Sequence, residues 1–171
     1  LTYIMGNAFW HIYPEAHVIV NYQLSNAMYC NIENMEVTDE MLEKVKAKMQ
    51  EIISQDLKIE KKVMTREEAE KFYEETNSAK GRLQFDLEDR QNINMYYCDD
   101  YYNYIYEVIA THTGVTKIFD LKKYSNGFLL RYPSSKNVNV LPEFHETKKL
   151  LWALQEYETI YKVLNVGTVY R

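Results

Sequence analysis

The sequence predicts an α+β domain of two layers, a mostly antiparallel sheet with helices packed against it. Three observations predict it. Apolar residues recur with helical spacing at both ends of the chain, alternating runs in between are joined by two-residue turn signals, and helices do not alternate strictly with strands, as they would in a doubly wound parallel sheet. With 171 residues, 46% hydrophobic and 26% charged, the chain has room for one core and the composition of an ordered globular protein.

The elements follow in order. Leu1, Ile4, Met5, Ala8, Phe9, Ile12 and Tyr13 lie on one stripe, so residues 1–13 read as an amphipathic helix, ended by Pro14. Gly6 costs that helix about 1 kcal/mol against alanine, and the spacing implies that something approaches the backbone there. His17 to Leu24 and Ala27 to Glu33 read as strands joined at Ser25-Asn26. Thr38 reads as an N-cap, with Asp39 and Glu40 where the helix dipole favours anions. Leu42, Val45, Met49, Ile52 and Ile53 form that helix's apolar face. Leu57, Ile59, Lys61 and Val63 alternate with polar neighbours as in a strand. Thr65 and Glu68 then form a capping box before a helix with Ala69, Phe72 and Tyr73 inward.

Residues 76–92 are polar and irregular, and Ile93 to Cys98 reads as another strand. A cluster of Tyr96, Tyr97, Tyr101, Tyr102, Tyr104 and Tyr106 follows. Lys117 to Lys123 and Phe128 to Tyr132 flank Ser125-Asn126-Gly127, a hairpin signal. A loop runs from Pro133 to Pro142. A last helix from about Glu146 turns Leu150, Leu151, Leu154, Tyr157, Tyr161 and Leu164 to the core. The expected order is helix, hairpin, helix, strand, helix, strand, hairpin, helix.

Composition narrows function. The net charge of −5 opposes phosphate backbones unless a local patch overrides it. Lys122, Lys123 and Arg131 are the suggestive cluster, and such cations are usually a solvated face. Cys30 and Cys98 lie in strand-like runs and read as buried free thiols in a reducing cytoplasm. His11, His17, His112 and His145 are scattered, so no metal site is expected. No apolar run reaches the ~18 residues of a membrane span, and no secretory leader opens the chain. Leu1 already reads as mid-helix, which suggests a natural start upstream. Five isolated glycines form neither a G-x-x-x-x-G-K nor a G-x-G-x-x-G motif. Neither G-x-S-x-G nor H-E-x-x-H occurs.

Tyr3, Asn7 and His11 fall at i, i+4 and i+8 on the first helix. They read as the lining of a cleft or, more simply, as a helix flank, since any helix offers that spacing. Asp99-Asp100 reads as an acid pair or as a turn, and no further ligands stand nearby. The tyrosines suit base stacking or core filling with a bonded hydroxyl.

Residues 6–133 resemble the second additional domain of threonyl-tRNA synthetase, shared with alanyl-tRNA synthetase, and in particular the version near the N-terminus of bacterial uridine kinase-like proteins. The strings that carry this are Gly6-Asn7-Ala8 running to Tyr13-Pro14, Asn26-Ala27-Met28-Tyr29-Cys30, Asp100-Tyr101-Tyr102-Asn103-Tyr104, and Gly127-Phe128-Leu129-Leu130-Arg131-Tyr132-Pro133. Leu141-Pro142 to Val166 looks like the segment leading to the kinase in those proteins. The resemblance implies one domain over 1–171, with a synthetase-like core at 1–133 and a loop and helix at 134–171 ahead of an absent kinase domain. In the synthetases such a domain hydrolyses mischarged tRNA with H-x-x-x-H on the first helix and a later C-x-x-x-H. Here the first pair falls on Tyr3 and Asn7 and the second on Ile105 and Ile109. The resemblance therefore implies a degenerate cleft of Tyr3, Asn7, His11, Ile105, Ile109 and Arg131, with no catalytic residue. It further implies an accessory, cytoplasmic module without a cofactor of its own, whose parent binds ATP and magnesium. Its partners would be the kinase domain of the same chain and a nucleoside or tRNA end. The alternatives are an editing deacylase with altered residues and a nucleoside- or RNA-sensing module.

Overall fold

A computed structural model describes residues 1–75, 92–105 and 108–145, with Lys149, Trp152, Ala153, Glu156, Tyr157, Thr159 and Ile160 beyond them. The first helix, α1 (Thr2–Ile12), buries Ile4, Met5, Ala8 and Phe9. Its end is closed by Tyr13, whose N–H donates to the Phe9 carbonyl at 2.7 Å, and Pro14 has no N–H to continue the ladder. Strands β1 (Val18–Leu24) and β2 (Ala27–Ile32) form the expected hairpin. Helix α2 (Asp39–Gln55) starts at Thr38, whose hydroxyl accepts from Met41 N–H at 3.2 Å. After β3 (Glu60–Thr65), helix α3 (Arg66–Glu75) opens on the predicted capping box. Thr65 Oγ1 accepts from Glu68 N–H at 3.3 Å, and Glu68 Oε2 accepts from Thr65 N–H at 2.9 Å. Strands β4 (Asn92–Cys98), β5 (Tyr101–Tyr104), β6 (Asp120–Tyr124) and β7 (Gly127–Arg131) complete the described elements.

The fold class is α+β, with every strand pair among the described residues antiparallel. The described strands make two sheets: a four-stranded one in the order β1-β2-β7-β6 and a three-stranded one in the order β3-β4-β5. Helices α1 and α2 cover one face of the larger sheet, where Phe9, Leu42, Val45, Met49, Phe128 and Leu130 share a core. Leu24, Ala27, Tyr29 and Leu129 are buried on its other face. Helix α3 covers one face of the smaller sheet through Ala69 and Phe72 against Met64, Ile93 and Met95. The opposite face meets α1, so α1 lies between the sheets.

Some expectations change. The tyrosine cluster is a strand: β4 turns at Asp99-Asp100 and returns as β5, pairing Cys98 with Tyr101. Asp99, like Ser25 and Ser125, takes a positive φ (56°, 55° and 52°) at the first position of a two-residue turn, as primed hairpin turns require. Gly127 has no positive φ; a Cβ there would strike the Cys30 carbonyl on β2, so close approach of two strands demands the glycine. Of the alternating run read as a strand, Val63 is 57% exposed, while its neighbour Met64 is 6% exposed. Ile59 lies under the α1 flank, but beyond it the covered face is the one against α3, which takes Met64 instead. The side chain of Tyr73, the whole of Tyr106, residues 76–91, and Leu150, Leu151, Leu154, Tyr161 and Leu164 of the expected last helix lie outside the described residues. The described residues from Lys149 to Ile160 are helical.

The end of α2 is held by a distant segment. Thr113, fully buried in a single 3-10 turn (Thr113–Val115), donates its hydroxyl to the Ile52 carbonyl at 2.8 Å and accepts from Leu57 N–H at 2.9 Å. Gly114 N–H donates to Asp56 Oδ1 at 3.0 Å, and Asp56 is left-handed with φ 48°. This clamp fixes where residues 111–113 lie beside the lead-in to β3.

Candidate functional site

The site is the seam where α1 meets the smaller sheet. Gly6 makes it close: a Cβ there would lie 2.5 Å from Tyr101 Oη, so the predicted approach to the backbone is a tyrosine hydroxyl. Tyr3, one turn earlier, is 4% exposed and stands edge-on to Tyr101, with ring centroids 5.2 Å apart. Its hydroxyl donates to the Tyr101 carbonyl at 3.2 Å, with the Tyr96 carbonyl at 3.5 Å. Burial, and then the neighbouring Cys98 and Tyr101, push the Tyr3 hydroxyl well above the ordinary phenol range, because a phenolate there would lack solvent. It stays protonated and serves as a rivet between helix and hairpin, not as a base.

Asn7 is 3% exposed. Its Oδ1 is buried with no hydrogen-bond partner among the described residues. His11 Nδ1 lies 2.9 Å from the Asn7 carbonyl and Nε2 lies 3.3 Å from Asp100 Oδ1, so His11 ties the end of α1 to the β4–β5 turn. Trp10 stands edge-on to His11 at 4.8 Å. Asn103, on the same side of β5 as Tyr101, donates to Tyr101 Oη at 3.0 Å.

Ile105 and Ile109 pack, partly buried, into the same apolar cluster as Tyr3, with Ile59, Tyr96, Cys98 and Tyr101. The chain thus brings Tyr3, Ile105 and Ile109 together although about a hundred residues separate them. Arg131 is committed elsewhere. It lies on β7, where its guanidinium donates to the Pro142 carbonyl at 2.9 Å and pairs with Asp120 at 3.4 Å, and Asp120 also holds Lys46 at 2.7 Å. Lys122 and Lys123 are exposed neighbours on β6 and point to opposite faces of the sheet, so these three cations share no single surface.

The chemistry available at the seam is limited. Neutral Tyr3, amide Asn7 and two isoleucines supply no nucleophile, and isoleucine can neither move a proton nor bind a metal. Cys98 is fully buried, and burial first, then the charges of Asp99 and Asp100, raise its thiol above the usual range, which disfavours the reactive thiolate. Both cysteines are free. Among the described residues no group of three or more His, Cys, Asp or Glu side chains could hold a metal ion, and no helix is long and apolar enough to cross a membrane. A hollow of about 810 Å³ lies away from the seam, between Leu1, Met28, Leu130, Tyr132 and Val138.

Sequence reasoning did not single out Tyr101 and Asn103 as site residues. The signal was present: after a two-residue turn, alternation places 101 and 103 on one face. It was masked by tyrosines on both faces.

No family model matches the chain. It is similar to threonine–tRNA ligases: 30% identical over 129 residues to that of Clostridium kluyveri and 30% over 129 residues to that of Acetivibrio thermocellus. In each case 74% of this chain and 20% of the ligase are covered. The match to the Methylobacillus flagellatus ligase is 25% over 157 residues, 91% of this chain and 24% of the ligase. The chain therefore spans about a fifth of the length of the curated relatives it matches, and it is homologous to a segment of threonine–tRNA ligase.

Proposed function

We propose that this chain is an aminoacyl-tRNA editing-type domain with altered site residues, kept as a non-hydrolytic accessory module. The observation that supports this most is the joining of Tyr3, Ile105 and Ile109 in one apolar cluster. These are positions where the resemblance puts editing chemistry, and here they hold a bonded hydroxyl and two aliphatic side chains. Hydrolysis of an ester needs a positioned base or an activated nucleophile. The imidazole at the seam, His11, has both ring nitrogens engaged, by the Asn7 carbonyl and by Asp100, and Tyr3, Ile105 and Ile109 supply neither function. The decisive experiment incubates the folded chain with mischarged tRNA. Release of the amino acid at the buffer rate is expected. Release above that rate, abolished by Tyr3→Phe or by Asn7→Ala, would establish an editing deacylase with altered residues and end this reading.

The finer proposal is that the module serves an ATP- and magnesium-dependent nucleoside kinase domain on the same chain. It rests on the local strings from Gly6-Asn7-Ala8 to Tyr132-Pro133 alone, since the matched relatives are ligases. The coding region after Arg171 tests it. A G-x-x-x-x-G-K-[ST] following a strand-like run would support the kinase parent, whereas a synthetase catalytic region would overturn it.

A further inference from the structure

β3 pairs with β4 on one side only among the described residues. Its lead-in is covered on the other side: Ile59 N–H donates to the Thr111 carbonyl at 2.7 Å, and the Leu57 carbonyl accepts from Thr113 N–H at 2.9 Å. Those two bonds establish which backbone groups point outward. Main-chain direction alternates along a strand, so the outward groups of 57 and 59 continue at Lys61 and Val63, where the ladder has no described partner. A groove of about 470 Å³ opens beside this edge, walled by Lys58, Glu60, Lys61, Lys62, Val108 and Ile109 among others, so three lysines face one glutamate. Its surroundings are both apolar and cationic. Val63 is 57% and Val108 89% exposed. Lys61 and Lys62 are exposed, and Lys58 pairs with Glu60 at 2.6 Å. Alternation puts Lys58 and Lys62 on one face of the strand and Lys61 and Val63 on the other. On a chain of net charge −5, this edge is a local reversal of sign.

We propose that the outer edge of β3 docks an acidic, extended peptide segment of a partner protein, which adds to the smaller sheet as a further strand. Main-chain hydrogen bonds at Lys61 and Val63 would supply affinity, and alternate side chains would supply selectivity. Acidic residues fit Lys62, whose side also holds the Lys58–Glu60 pair, and aliphatic residues fit Val63 on the other. A row of alternating N–H and C=O groups suits a peptide and not a nucleic acid, whose phosphates the carbonyls repel. The proposal does not rest on the function proposed for the α1 seam, although Tyr96 and Ile109 border both. A competing account is that edge lysines only guard against edge-to-edge association, and that account predicts no peptide binding.

The test titrates a labelled ten-residue peptide of alternating glutamate and valine into the full chain at low salt, read by fluorescence anisotropy. Saturable binding is expected, weaker at high salt. Val63→Pro deletes an outward N–H without touching the β3–β4 ladder, and should weaken binding about five- to tenfold. A second arm leaves the protein unaltered. N-methylating every other peptide residue should abolish binding in one register and spare it in the other. Hydrogen exchange at Lys61 and Val63 should be fast in the free chain and slow with peptide. No saturable binding, slow exchange in the free chain, or binding of single-stranded RNA in place of the peptide would overturn the proposal.

Discussion

The two sides of α1 are built from different materials. The side turned to α2 and the larger sheet is Ile4, Met5, Ala8 and Phe9, closed over Phe128 and Leu130. The side turned to the β4–β5 hairpin is Tyr3, Gly6 and Asn7, with His11 at its end. There polar bonds to Tyr101 and Asp100 replace much of the aliphatic packing. The first side contributes stability through area removed from water. The second contributes register, because each bond names one partner, and it carries the buried Asn7 Oδ1, which has no hydrogen-bond partner among the described residues. A helix can thus anchor a core with one face while the other keeps the outline of a site.

The largest effect expected from breaking this contrast is on the apolar side. Phe128 is fully buried, and Phe128→Ala should cost about 3–5 kcal/mol in urea unfolding. Ile105→Ala, at a half-buried seam position, should cost clearly less. Equal losses would mean that the two sides share one core.

A middle-sized effect belongs to the seam itself. Gly6→Ala should gain about 1 kcal/mol from helix propensity, yet the new methyl meets Tyr101 Oη. Overpacking of about 1–3 kcal/mol should exceed that gain. Adding Tyr101→Phe removes the obstructing oxygen, so the double variant should be more stable than Gly6→Ala alone. A double-mutant cycle without coupling would show that the hydroxyl does not press on the helix.

The smallest effect sharpens the contrast by pH. Burial pushes the Cys30 thiol, on the apolar side, up from 9.0 to about 12. In the unfolded chain the thiol ionises first, so the stability it contributes is complete below pH 9 and is lost as pH rises toward 12. By pH 10 the loss should be about 1 kcal/mol, and Cys30→Ala should lack that part of the alkaline slope. An unchanged slope in the variant would place the thiol in contact with solvent.

Local chemistry was legible in the residues. Pro14 stops α1, Thr38 starts α2, Thr65 and Glu68 cap α3, and Ser25-Asn26 and Ser125-Asn126 turn their hairpins. Each depends on neighbours within a few positions, so the string itself contains both partners. The close approach at Gly6 was legible as a need, but its partner Tyr101 was not. Tertiary structure alone decided that the tyrosine string is β5, that Met64 and not Val63 turns inward, that Arg131 goes to Asp120, and that Ile105 and Ile109 close on Tyr3. In each of these, local preference is nearly balanced, because tyrosine and valine suit either face of a strand. The choice falls to whichever distant element covers that face, and which element arrives there is a property of the folded chain.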